Sequence, residues 1–231
     1  MAEETTLDTQ QEYNPFAALD QRKKITQYII IGVVAVVVAV VGGYIYTGNK
    51  KDDAQKAALH LSRIRPYYDM RDFARAIDGV TDRTVRGEQI VGLKYIADMY
   101  GSVEPGKVAA LLTAQAFVGL DKYQDAQRYF DMATGSDAGL IQVGGYAGLG
   151  AVASQANNFA EAAKQYEKAA QISKGLTEDD QYQLFAAMMY EKSGNKEQAL
   201  KLYRGIILQN EFAETANEAK AGIVRLGEHI Q

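Results

Sequence analysis

Three hydrophobic patterns follow one another along the 231 residues. Residues 1–24 are polar, acidic as far as Asp20 and without a repeating apolar face, which predicts a disordered tail, because such a segment cannot bury enough apolar surface to fold. Residues 25–46, ITQYIIIGVVAVVVAVVGGYIY, carry no charge. As a helix this run is about 33 Å long, against a bilayer core of about 30 Å, and it predicts a transmembrane helix. Tyr28 lies near one end and Tyr44 and Tyr46 near the other, where amphipathic rings settle at the headgroups, and Arg22, Lys23, Lys24, Lys50 and Lys51 bracket the run. From Asp52 onward, stretches rich in Ala, Leu, Gln, Lys and Glu are broken at short polar or glycine-bearing joints, the pattern of successive helices. The fold class expected is all-α: one N-terminal transmembrane helix followed by an array of helical hairpins. Only VTDRTVRGEQIVG, from Val80 to Gly92, hints at extended chain, and the simplest expectation there is a long connection.

A cleaved signal peptide shares part of this pattern, but its apolar stretch runs to about 7–15 residues and ends in a small-residue cleavage site. Here the apolar run is longer, the leading segment is long and acidic, and no A-x-A follows, so retention as an anchor is expected. Gly42 and Gly43 are adjacent rather than spaced as GxxxG, so no dimerisation face is indicated. Orientation is open by charge alone. Arg22, Lys23 and Lys24 precede the run and Lys50, Lys51 and Lys56 follow it, a tie under the positive-inside rule.

Self-similarity organises the remainder. DKYQDAQRYFDMA from Asp121, NNFAEAAKQYEKA from Asn157 and GNKEQALKLYRGI from Gly194 align on Ala126, Ala162 and Ala199, spaced 36 and 37 residues apart. A weaker copy, DFARAI, puts Phe73 and Ala76 fifty residues ahead of Ala126. Small residues let two antiparallel helices cross closely, and aromatics beside them fill the groove. Tyr123, Phe130, Phe159, Tyr166 and Tyr203 fit that second role, with Phe117, Tyr146, Leu149, Gly150 and Tyr190 on the preceding helices. On these residues the chain resembles the tetratricopeptide repeat family over roughly residues 54–208, with YAGLGAVASQANNFAEAAKQYEKA as the best unit. It departs from the family in lacking the proline at unit ends and in carrying the small residues Ala110 and Ala114 in the second unit. The expected organisation is a cytoplasmic tail over 1–24, a membrane span over 25–46, a repeat array over 52–208 and a capping helix over 209–231. ETANEAKAGIVRLGEHI, with Ala216, Ala219, Ile223 and Leu226 on one stripe, supplies that cap.

Composition narrows the chemistry. The chain has no cysteine and no tryptophan, so thiolate metal sites, disulfides and cysteine nucleophiles are excluded. With 25 Lys+Arg against 29 Asp+Glu, its formal net charge of -4 is the wrong sign for a nucleic-acid backbone binder. His60 and His229 are isolated, and neither sits in an HExxH motif. Glu178, Asp179 and Asp180, after Thr177, read as a helix start rather than an acid-base pair. GxGxxG, GxxxxGK[ST] and GxSxG do not occur. No catalytic residue, metal site, cofactor, nucleic acid or small-molecule substrate is expected, and the chain is not expected to be an enzyme.

A stacked helical array presents one concave surface, which makes protein binding the default activity. The resemblance implies concave positions at Val108, Leu111, Gln115 and Val118 in the second unit, Ala147, Ala151, Ser154 and Gln155 in the third, and Leu184, Met188, Glu191 and Lys192 in the fourth. Only Lys192 matches the Lys and Asn set with which some tetratricopeptide proteins clamp a chaperone's C-terminal carboxylate. An apolar groove suits a partner helix or a poorly folded segment instead, and the array's own terminal helix is an alternative occupant. Tail, span and repeat domain together are similar to the bacterial family of single-pass YfgM-like ancillary subunits of the Sec translocon. That resemblance implies an inner-membrane protein with a cytoplasmic N-terminus and a periplasmic domain. Its partner would be the translocon, a periplasmic chaperone or an exported chain, and the bilayer would hold residues 25–46. The alternative is a structural scaffold of an envelope-assembly or cell-division complex, which would bind a folded partner and have no affinity for unfolded chains.

Overall fold

The computed structural model describes residues 48–174 and 179–229, together with Val36. Apart from Val36, the expected tail and transmembrane helix lie outside the described residues, as does the cap at Thr177. Among the described residues no helix is long and apolar enough to cross a membrane. The chain divides into two compact units, Met1–Asn49 and Lys50–Gln231.

The second unit is mostly helical, as the patterning predicts. In chain order it contains α1 (residues 50–69), α2 (Phe73–Asp78), β1 (Gly79–Val85), β2 (Glu88–Val91), α3 (Leu93–Tyr100), α4 (Glu104–Gly119) and α5 (Tyr123–Thr134). It continues with α6 (Gly139–Gln155), α7 (Phe159–Ser173), α8 (Asp179–Lys192), α9 (Lys196–Gln209) and α10 (Glu214–Arg225). From α3 to α10 each helix packs against its successor.

One turn recurs where α1 passes to α2, α4 to α5, α6 to α7 and α8 to α9. Arg71, Asp121 and Asn157 all have φ 59°, and Gly194 has φ 80°. The N–H of each bonds the carbonyl three residues back, and the next N–H bonds the carbonyl five back: Asp72 to Tyr67, Lys122 to Phe117, Asn158 to Ala153 and Asn195 to Tyr190. These are the bonds that close a helix on a left-handed residue and satisfy its orphan carbonyls. The following side chain caps the next helix at Asp72, Asn158 and Asn195, each accepting the N–H three residues on. The C-terminus of α10 repeats the device, with Gly227 at φ 75° and the Glu228 N–H on the Ile223 carbonyl. The expected cap thus ends as α1, α4, α6 and α8 do.

The segment expected to be a long connection is instead a β-hairpin. β1 pairs antiparallel with β2, with Val80 opposite Ile90 as its buried pair. Arg86 and Gly87, at φ 56° and 82°, make the two-residue turn whose positive dihedrals match strand twist. At the hairpin's base a Cβ on Gly92 would lie 2.0 Å from the Ile77 carbonyl oxygen, so only glycine lets the chain re-enter there. The fourteen residues Gly79–Gly92 therefore interrupt a single helix that continues as α3. Removing them from the fifty-residue offset leaves 36, in line with the 36 and 37 of the later copies. Ala76, Ala126, Ala162 and Ala199 are all fully buried, as are Ala97, Ala133 and Ala169, themselves spaced by 36.

Close packing explains the glycines of α6, whose five glycines would each cost about 1 kcal/mol in an isolated helix. A Cβ at Gly145 would meet the Thr134 nitrogen at 2.8 Å, and one at Gly148 would meet the Phe130 ring at 2.2 Å. Gly222 of α10 makes the same approach to Tyr203 at 2.4 Å. Three apolar clusters result. The largest spans α1 to α6 with the hairpin, a small one joins Ala162, Ala163 and Met189, and a third holds Leu184, Tyr203, Ile206 and Ile223 of α8 to α10.

Candidate functional site

α4, α6 and α8 converge on a groove of about 600 Å³ lined by Leu111, Gln115, Leu140, Val143, Gly144, Gln181, Tyr182 and Phe185. The lining carries no charge. Leu111, part of the large core, and Val143 are buried and Phe185 is half-buried, whereas Leu140 is 59% exposed and offers its side chain to the groove. Phe185 is ringed by aromatics, 5.4 Å from Tyr166 and 6.5 Å from Tyr182 between centroids. From α1 the Tyr68 hydroxyl donates to Gln115 Oε1 at 2.7 Å and fixes that amide. Burial raises the Tyr68 and Tyr166 phenols above their ordinary range, so both stay protonated donors at any physiological pH. Such a surface can bury apolar side chains and make a few amide or hydroxyl bonds, and it offers neither a nucleophile nor an acid-base pair.

The structure brings together only part of the expected concave set. Leu111 and Gln115 line the groove. Val108 and Val118 on the same helix are partly buried against the large core. Ala147, Ala151 and Ser154 are half-buried on α6. Gln155 is exposed and belongs to a different cavity between α5 and α6, where its Nε2 donates to the Tyr123 hydroxyl at 3.4 Å. On α8, Leu184 is 2% exposed beside Ile223, and Met188 packs on the two smaller cores. Glu191 accepts the Tyr203 hydroxyl at 2.6 Å and two Arg225 nitrogens at 2.9 Å. Lys192 lies over the Phe159 ring, 5.4 Å from its centroid. At Leu184 and Glu191 the array's own α10 is the neighbour.

Leu140, Val143, Gly144, Gln181, Tyr182 and Phe185 were missed by the sequence reading. Their signal was Tyr182 and Phe185 themselves, aromatics three residues apart on one helix face that the repeat alignment leaves unassigned. Among the described residues no His, Cys, Asp and Glu group could hold a metal ion. His60, on α1, stacks on Tyr100 at 6.2 Å, and burial together with Arg63 lowers its pKa. His229 is exposed. No protein-family model and no curated protein matches the chain.

Proposed function

We propose that the chain is a membrane-anchored tetratricopeptide-type α-solenoid that binds protein, taking the apolar face of a partner helix or a poorly folded segment into the groove between α4, α6 and α8. The observation that carries this reading is the groove's lining, which is aromatic and aliphatic, holds the Gln115 amide fixed by Tyr68, and carries no charge. The repeated turn and the buried alanines at a 36-residue period support the repeat family. Membrane anchoring rests on the uncharged run 25–46, and the placement of the domain in the periplasm, beside the Sec translocon or its chaperones, rests on the family resemblance.

The test is protease protection combined with crosslinking from a photoreactive residue at Tyr182. Digestion of the repeat domain only after the outer membrane is opened, with exported chains, a chaperone or translocon subunits captured, is the expected result. Protection until the inner membrane is lysed would overturn the location. Capture of nothing, or capture that survives Phe185→Glu unchanged, would overturn the groove.

A further inference from the structure

Charge is segregated along the chain. Residues 50–94 carry ten Lys and Arg against seven Asp and Glu, while residues 95–231 carry twelve against seventeen. Six of the ten arginines in the whole chain fall between Arg63 and Arg86. The fold gathers three of them at one place, because the inserted hairpin lies beside the C-terminal half of α1 and the start of α2. Between these elements is a cleft of about 740 Å³, separate from the groove, into which Arg63, Arg75 and Arg83 contribute.

The arginines differ in how far they are already neutralised. Arg63 bonds Glu88 at 2.6 Å, and Arg75 pairs with Asp72 at 2.6 Å while stacking over Tyr67. Among the described residues Arg71, Arg83 and Arg86 have no acidic partner, and all three are exposed. Beside the arginines the lining holds Asp72, Thr84 and the apolar Tyr67, Met70 and Val85; Met70 is 68% and Val85 37% exposed. Guanidinium forks beside an uncovered apolar floor match a ligand with carboxylates next to an aliphatic or aromatic side chain.

We propose that the cleft between α1, α2 and the hairpin is a second binding site, for an acidic peptide segment of a protein partner that carries apolar residues among its carboxylates. A concave floor favours a peptide, whose side chains enter it, over a lipid surface, which would meet only the rim. This assignment does not depend on the groove reading, since the two sites share no residue.

The full chain in neutral detergent is titrated with a short fluorescent peptide of alternating Glu and Leu, and with its Gln-for-Glu counterpart. The Glu peptide is expected to bind at least about tenfold more tightly, with an affinity that falls as salt is raised. Arg83→Gln, at an exposed residue with no acidic partner among the described residues, weakens it about tenfold, and adding Arg75→Gln weakens it further. Phe185→Ala in the groove leaves it unchanged, which keeps a failure of the groove distinct from a failure of this site. Equal affinity for the two peptides, or indifference to both arginine changes, would overturn the proposal. Binding to phosphatidylglycerol vesicles that depends on Arg83, without binding to the peptide, would overturn it in favour of lipid.

Discussion

Glu191 joins three helices, and its removal gives a magnitude that can be worked out bond by bond. The carboxylate on α8 receives the hydroxyl of Tyr203, a fully buried residue of α9, and a two-pronged contact from Arg225 of α10. In Glu191→Ala the Tyr203 hydroxyl loses a charge-assisted bond worth about 1.5–3 kcal/mol and is left with only the Arg225 guanidinium beside it. The Arg225 contact adds at most about 1 kcal/mol, because that side chain is 52% exposed and water screens the pair. The single change therefore costs about 2–4 kcal/mol. Tyr203→Phe alone costs about 1–2 kcal/mol, since the carboxylate retains Arg225. When both are changed no orphan is left, so the double variant is more stable than the sum of the singles implies, by at least about 1 kcal/mol. The assay is urea unfolding of the full chain followed by circular dichroism, with hydrogen exchange of the α8–α10 amides as the local readout. Additivity within about 0.3 kcal/mol would refute the argument, because it would mean that the hydroxyl and carboxylate do not depend on one another.

Three further outcomes follow from the packing. Gly194→Ala, at φ 80° with open space around it, costs about 1 kcal/mol from backbone strain alone, whereas Gly205→Ala, inside α9 and equally open, gains about 0.5–1 kcal/mol; equal melting shifts would contradict the assigned dihedrals. Ala162→Glu puts a charge at a fully buried crossing of α6 and α7 and destabilises by about 3 kcal/mol or more, so an unchanged melting temperature would undo the repeat register. Burial pushes the Glu104 carboxyl up, but the Asp137 N–H, the Lys107 ammonium and the Ser136 hydroxyl outweigh it and bring the pKa down to about 2. A lowered native pKa adds stability above the unfolded value of about 4.3 that is lost as pH falls toward 2, so Glu104→Gln should flatten acid unfolding in that window.

The repeats were legible because Ala126, Ala162 and Ala199 answer to one steric demand, and a helix crossing that admits only a methyl group leaves the same mark each time. The hairpin was not legible. Thr81, Asp82, Arg83 and Thr84 are all exposed, so β1 lacks the alternation that a half-buried strand shows, and its turn uses Arg-Gly where Asn-Gly or Asp-Gly would have signalled it. The second series, Ala97, Ala133 and Ala169, stood in plain register but was hidden, because the inserted strands displaced Ala97 from the copy led by Ala76. The groove was half legible. The register expected from the resemblance reaches Leu111 and Gln115 on α4, but on α8 it selects Leu184 and Glu191, which α9 and α10 engage, and passes over Tyr182 and Phe185.

The division of the apolar residues into separate clusters has a consequence for cooperativity. Ala162, Ala163 and Met189 form a small cluster apart from the large core and the α8–α10 core, with Ala169, Ala170 and Ser173 of α7 and Ala186 of α8 also buried. Stability in such a stack is a sum of neighbour terms, so the two ends can melt separately and a single transition temperature need not describe the chain. The groove spans α4, α6 and α8, taking Leu111 from the large core and Phe185 from α8. A ligand lying across it would act as a splint, merging two melting steps into one, and the sharpening of that transition would report occupancy without any label on the partner.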